Sequence, residues 1–150
     1  MKLYKIKNSN IDNKGLYASE NIKDRTKIIE YKGKLVTKKQ VELNPKFDND
    51  KAIYLFNINK RYDLDGDFKY NTARLINHSC NPNCEVSGTG LKVWVYAIKN
   101  IKKGEELTYD YGFGYDEYYK DFPCRCGAQN CVGYIVREGS RWRIRKQKSI

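Results

Sequence analysis

Cys124, Cys126 and Cys131 form a C-x-C-x4-C run, three sulfurs set closer together than in the usual zinc ribbon. A tetrahedral thiolate site needs a fourth ligand. The chain offers a single histidine, His78, and two further cysteines, Cys80 and Cys84. Cys80 is the preferred fourth ligand because it lies in an irregular segment, whereas Cys84 opens a strand and reads as a small buried hydrophobe. Four thiolates leave a metal no open position, so such an ion is structural. Its task is to pin the C-terminal segment over the loop that carries His78. A disulfide framework fits less well, because the spacing is uneven and five cysteines leave one unpaired.

Two further stretches carry groups suited to chemistry. Asn71-Thr-Ala-Arg-Leu-Ile-Asn-His-Ser-Cys80 places Asn77 and His78 just before the first sulfur, and Glu106-Leu-Thr-Tyr-Asp-Tyr-Gly112 supplies Tyr109 and Tyr111. His78 beside Cys80 does not make a nucleophilic pair, since a metal claims the thiolate. On their own, strand tyrosines are ordinarily packing residues and an Asn-His pair in a loop is ordinarily a turn.

The elements that must position these groups are short. Residues 3–7, Leu16–Ala18, Lys27–Tyr31, Leu35–Val36, Ala52–Ile58, Arg61–Leu64 and Glu106–Tyr111 read as strands separated by turn formers. Gly15 can take positive φ in the first loop. Thr37 caps a short helix over Lys38–Leu43, which Asn44-Pro45 ends. Asn71–Ile76 forms one helical turn, and Asn77–Asn83, interrupted by Pro82, is irregular. Cys84–Ser87 and Leu91–Ile98 pair as a hairpin across Gly88-Thr-Gly90. The pattern predicts a mostly β single domain with a small metal-organised appendage at the C-terminus.

The 150 residues suffice for a packed core, and the formal charge of +11 speaks to partners rather than fold. No apolar run is long enough to span a bilayer, and residues 1–7 lack the apolar core of a signal peptide, so a soluble intracellular protein without membrane contact is expected. Much of the charge falls in residues 137–150, either a solvated tail or, with Trp142, a patch that follows a phosphate backbone.

Gly15-Leu-Tyr-Ala18, Glu30-Tyr-x-Gly33, Tyr54-Leu-Phe56, Asn71-x-Ala-Arg-Leu-Ile-Asn-His-Ser-Cys-x-Pro-Asn83, Gly104-Glu-Glu-Leu-Thr-Tyr-Asp-Tyr-Gly112 and the C-x-C-x4-C run arrive in one order. That order resembles the SET-domain protein-lysine methyltransferases with a post-SET zinc motif, most of all the trithorax-like and related histone-lysine branches. The resemblance implies a β-clip fold of several small sheets with a pseudoknot, a SET domain over 1–117, and a post-SET zinc segment with a basic tail over 118–150. It implies methyl transfer from S-adenosylmethionine to a protein lysine, in a histone tail for instance, at chromatin or in the nucleus of a eukaryotic cell or host. One structural Zn2+ on Cys80, Cys124, Cys126 and Cys131 accompanies it.

By motif position, Tyr111 resembles the essential channel tyrosine. Tyr109 resembles the residue that governs the number of methyls, and a tyrosine there implies mainly monomethylation, with dimethylation as the further state. Tyr31 and Phe56 resemble channel walls, and Tyr54 the residue between cofactor and lysine. Asn77 and His78 match the pair that holds the cofactor, with Asp12, Lys14, Gly15 and Arg125 flanking it. Asn13 stands where the family has glycine, Tyr70-Asn71 replaces Gly-Asn, and no cysteine-rich pre-SET region is present in the sequence. Nucleosomal DNA contact would reconcile the basic surface with a basic tail as substrate. The rival reading is a weakly active or inactive SET-fold module that binds chromatin or nucleic acid through its basic tail.

Overall fold

The computed structural model describes residues 2–47 and 54–148, with side chains as far as Arg145. Short strands dominate: β1 (Tyr4–Asn8), β2 (Lys14–Ala18), β3 (Lys27–Tyr31), β4 (Lys34–Thr37), β5 (Leu55–Asn57), β6 (Tyr62–Asp65), β7 (Asn77–His78), β8 (Cys84–Thr89), β9 (Lys92–Ala97) and β10 (Thr108–Tyr109). Two helices join them, α1 (Lys38–Leu43) and α2 (Arg141–Lys148). The sheets are small, in the orders β1-β2, β10-β7, β3-β9-β8 and β4-β6-β5. This is the mostly β architecture the strand pattern predicts.

Local chemistry accounts for much of it. The Thr37 hydroxyl accepts the Gln40 N–H at 3.1 Å while the Gln40 side chain accepts the Thr37 N–H at 2.8 Å, a reciprocal capping box that opens α1. Asn44, held extended ahead of Pro45, closes it. Thr72–Leu75 makes the single turn expected there, of 3-10 type. The hairpin turns at Gly90-Leu91, two residues later than the glycine spacing predicts, because Gly90 takes φ +62° while Gly88 stays extended within β8. Of the strand expected at Ala52–Ile58, the structure shows Leu55–Asn57, and Ala52 and Ile53 lie outside the described residues.

The chain divides into two compact units. One comprises Met1–Ile28, Leu75–Glu85 and Tyr96–Ile150, and the other Ile29–Arg74 and Val86–Val95, so the backbone passes from one to the other within β3, the turn Thr72–Leu75, β8 and β9.

In the first unit β2 is central. It pairs antiparallel with β1, from Tyr4↔Ala18 to Asn8↔Lys14. Its other edge meets residues 105–107, where the Ala18 N–H donates to Glu105 O at 2.8 Å and the Leu107 N–H to Leu16 O at 2.7 Å. Leu16, Ala18, Ile22, Ile101 and Leu107 are buried there. A satellite core of Tyr119, Val132, Val136 and Ile144, with Tyr115 and Tyr134 against it, organises the C-terminal part.

In the second unit β6 pairs antiparallel with both β4 and β5. Its Asp63 and Asp65 are tied to Lys38 and Lys46. No described helix is long and apolar enough to cross a membrane.

Candidate active site and sulfur cluster

Parallel pairing of β7 with β10 sets Asn77 opposite Thr108 and His78 opposite Tyr109. The sequence predicts an irregular Asn77–Asn83, and its first two residues instead form this strand, because their partner lies 31 residues away and leaves no local trace. Asn83 holds the pairing from outside: its Nδ2 donates to Glu106 O at 2.8 Å and its Oδ1 accepts the Thr108 N–H at 2.9 Å.

Asn77 closes the first loop. Its Nδ2 lies 3.1 Å from Asp12 O, 3.2 Å from Lys14 O, 3.1 Å from Ser9 Oγ and 2.9 Å from Glu106 Oε1. The Glu106 carboxylate also accepts from Ser9 Oγ at 2.8 Å and from the Tyr17 hydroxyl at 3.3 Å. Burial, followed by the charge of Glu106, raises the Tyr17 pKa. Gly15 does not take the positive φ expected of it. Asn13 does, at +39°, which is how the loop turns without the family glycine. Gly15 is required for closeness instead: a Cβ there would run into Glu106 Oε1 and reach 3.3 Å from Asn77 Nδ2. Asp12, Asn13 and Lys14 point outward and reach the network through backbone oxygens.

His78 is buried between the tyrosine strand and the sulfurs. Its Nδ1 accepts the Tyr111 N–H at 3.1 Å, which places the ring proton on Nε2, 3.8 Å from Cys80 Sγ. The Tyr111 hydroxyl donates to Ile76 O at 2.6 Å, and its ring lies 5.4 Å from that of His78 and 4.9 Å from that of Tyr109.

The Sγ atoms of Cys80, Cys124, Cys126 and Cys131 all lie within 4.8 Å of one another. Zn–S bonds of about 2.3 Å in a tetrahedron set sulfurs about 3.8 Å apart, so the donor set fits a zinc ion. Cys80 and Cys124 are 3.9 Å apart. A hydrogen bond from the Cys124 thiol holds Cys80 down at about 3, and the same contact pushes Cys124 up. The cluster thus already favours thiolate at Cys80, the form a metal takes. Gly127, at φ +74°, lets the chain double back after Cys126. Cys84 lies outside the cluster, opens β8 as the sequence predicts, and is pushed up to about 12 by burial.

A family profile of the SET domain matches residues 13–112. The chain belongs to the SET-domain family. Over 135 residues it is 41% identical to the histone-lysine N-methyltransferase, H3 lysine-4 specific, of Schizosaccharomyces pombe, covering 85% of this chain and 14% of that one. It is 36% identical over 129 residues to histone-lysine N-methyltransferase 2D of Homo sapiens, covering 82% of this chain and 2% of the relative. It is 38% identical over 129 residues to histone-lysine N-methyltransferase ASHR3 of Arabidopsis thaliana, covering 81% of this chain and 25% of that one. The chain therefore spans only a small part of the length of these relatives.

Other expected residues of this SET-domain protein belong elsewhere. Tyr31 lies in the second unit, 1% exposed, its hydroxyl donating to Tyr54 O at 3.1 Å and its ring 4.5 Å from that of Phe56. Arg125 is exposed between its two cysteines.

The basic tail needs correction. Residues 141–148 form α2, and Arg141, at 2% exposure, turns inward. It donates from Nε to Val136 O at 2.9 Å, from Nη1 to Cys80 O at 2.8 Å and from Nη2 to Asp110 Oδ2 at 3.0 Å. A buried guanidinium needs such partners. Its only sequence signal was the i, i+3 spacing from Ile144, which puts both on one helix face.

Sequence reading also gave Glu106 and Asp110 no role. Glu106 reads as the start of a strand, and nothing local marks a carboxylate that binds two distant segments.

Proposed function

We propose that this SET domain transfers a methyl group from S-adenosylmethionine to the side-chain amine of a protein lysine, mainly to the monomethyl state, in a histone-type tail. The observation that carries the reading is the β7–β10 pairing. It brings the Asn-His pair and the Tyr-Asp-Tyr segment side by side, with the Tyr111 phenol bonded to the residue before Asn77. The residues fit the donor: Asn77 Oδ1 accepts no hydrogen bond among the described residues, leaving an acceptor suited to its amino group.

When bound, the sulfonium supplies the electrophilic methyl. Free lysine has a pKa near 10.4, so presenting a neutral amine at pH 7.4 costs about 4 kcal/mol. Buried tyrosines lower that cost by excluding water, which disfavours the charged amine. Tyr111 commits its proton to Ile76 O, so its oxygen would serve the reacting groups as an acceptor. Tyr109, buried beside it, restricts the room for added methyls. By motif position Asp12, Lys14, Gly15, Asn77, His78, Tyr54 and Arg125 serve the cofactor, and Tyr31 serves the channel. One structural zinc on the four cysteines holds residues 124–131 to Cys80.

A second reading concerns the partner. Trp142 is 54% exposed on α2 beside the exposed Arg143, a surface suited to nucleosomal DNA and to action at chromatin. Loss of DNA binding by Trp142→Ala with Arg143→Ala, together with a reduced salt slope, checks this.

Labelled cofactor with histone octamers and nucleosomes, followed by mass mapping, tests the main reading. Transfer to a lysine that is absent with Tyr111→Phe supports it. No transfer above that control rejects it.

A further inference from the structure

We propose that Arg141 is a positioning residue that sets the aim of the tyrosine pair by fastening Asp110 and the Cys80 segment to one guanidinium. Asp110 is the residue between Tyr109 and Tyr111, so wherever its side chain is held, the two flanking phenols follow. The hydrogen bonds on that carboxylate anchor it, while His78 Nδ1 lies 3.8 Å from Oδ1. Oδ2 accepts from Arg141 Nη2 at 3.0 Å and from the Glu138 N–H at 3.1 Å, and Oδ1 accepts the Gly112 N–H at 2.9 Å. Arg141 is the first residue of α2 and Glu138 opens the turn that leads into it, so the strand end is tied to the C-terminal helix and not to its own sheet alone.

The other arm of the fork bonds Cys80 O, which also accepts from Asn130 Nδ2 at 2.9 Å. Arg141 therefore spans two arrangements that methyl transfer must keep in register: the Cys80 segment, two residues beyond His78, and the strand that carries Tyr109 and Tyr111. His78 spans the same gap from the other side, through the Tyr111 N–H and Cys80 Sγ. Two struts of different chemistry fix one distance. A planar fork makes both bonds at once, whereas an ammonium on a flexible stem cannot.

The proposal rests on the methyltransfer reading for its kinetic consequence but not for its structural one, so two measurements separate them. The variants are Arg141→Lys, which keeps the charge, Asp110→Asn, which keeps an acceptor, and their combination, each assayed well below its melting temperature with zinc content measured.

Hydrogen exchange at the Tyr111 and Gly112 amides is expected to rise in all three to a similar extent, because each cuts the same strut. With the protein active, kcat is expected to fall roughly ten- to a hundred-fold. Affinity for S-adenosylmethionine by calorimetry should stay within about two-fold, because the Asn77 loop is built from other groups. Losses in the double variant should match those of the singles. Unchanged exchange at Tyr111, or additive losses, overturns the proposal. So does a kcat per folded molecule equal to wild type. If wild type transfers no methyl group, the methyltransfer reading fails while the exchange result still decides the strut.

Discussion

The main-chain N–H of Tyr111 points at His78 Nδ1, 3.1 Å away, and fixes which nitrogen of the imidazole is turned toward Cys80 Sγ. Because the phenol of the same residue is bonded to Ile76 O, Tyr111 is held at both ends. Tyr111→Phe keeps the ring and removes only the second hold. The expected cost is about 1 kcal/mol of stability, a typical net value for one hydrogen bond. The rate should fall by roughly 100-fold or more, far beyond what the stability change explains. Initial rates and urea midpoints on the same preparation check both.

Tyr109→Phe should shift products toward di- and trimethyl-lysine while leaving the first transfer within roughly ten-fold of wild type. Removing the hydroxyl opens room next to Tyr111, whose ring is 4.9 Å away. Mass spectrometry of a peptide carried to completion gives the answer, and an unchanged monomethyl product contradicts it.

Metal content separates the cysteines. One zinc per chain is expected, lost with Cys80→Ser, Cys124→Ser or Cys131→Ser and retained with Cys84→Ala, which lies outside the cluster. Chelation should lower the melting temperature and expose Tyr119 and Val136, whose small core depends on the segment the cysteines hold. Elemental analysis and dye-binding fluorescence report the two effects.

Gly15→Ala should disturb the first loop, which Asn77 closes, more than the fold. The new methyl would displace a Glu106 carboxylate that Ser9, Tyr17 and Asn77 already hold. Overpacking of this kind costs about 1–3 kcal/mol. Weaker binding of S-adenosylmethionine, measured by calorimetry, should accompany it, and Glu106→Gln should weaken binding less than Glu106→Ala.

Alkaline pH should destabilise the protein in part through Cys84. Its thiol is raised from an ordinary value near 9 to about 12. Between those values the unfolded chain has lost the proton while the folded one keeps it, so stability falls as pH rises. The contribution is complete below pH 9 and its loss approaches about 4 kcal/mol near pH 12. Cys84→Ala removes this component. The gap in urea midpoint between wild type and variant should therefore narrow from pH 8 to pH 10, and a constant gap excludes the effect.

Features set by neighbours along the chain were legible. The Thr37 cap on α1 follows from four consecutive residue types, and the C-x-C-x4-C run displays three of its four sulfurs within eight residues. Cys80 could be chosen over Cys84 because one opens a strand and the other does not. What stayed hidden was set by distant pairing. Nothing near Asn77 reveals that Thr108 lies beside it, and no feature of Glu106 foretells Ser9 and Asn77 as partners. Arg141 was misread for a related reason: in a run of arginines, charge alone does not tell which one turns inward.

The contacts on β2 have a consequence for biosynthesis. One side of this strand is covered by β1, its neighbour along the chain, but the other waits for Glu105 and Leu107. During translation the early hairpin must keep an unpaired edge, with Leu16 uncovered, while some ninety further residues are made. The sheet edge is completed only once residues 105–107 have been made, and folding should be slow, as it is for chains dominated by contacts between remote segments.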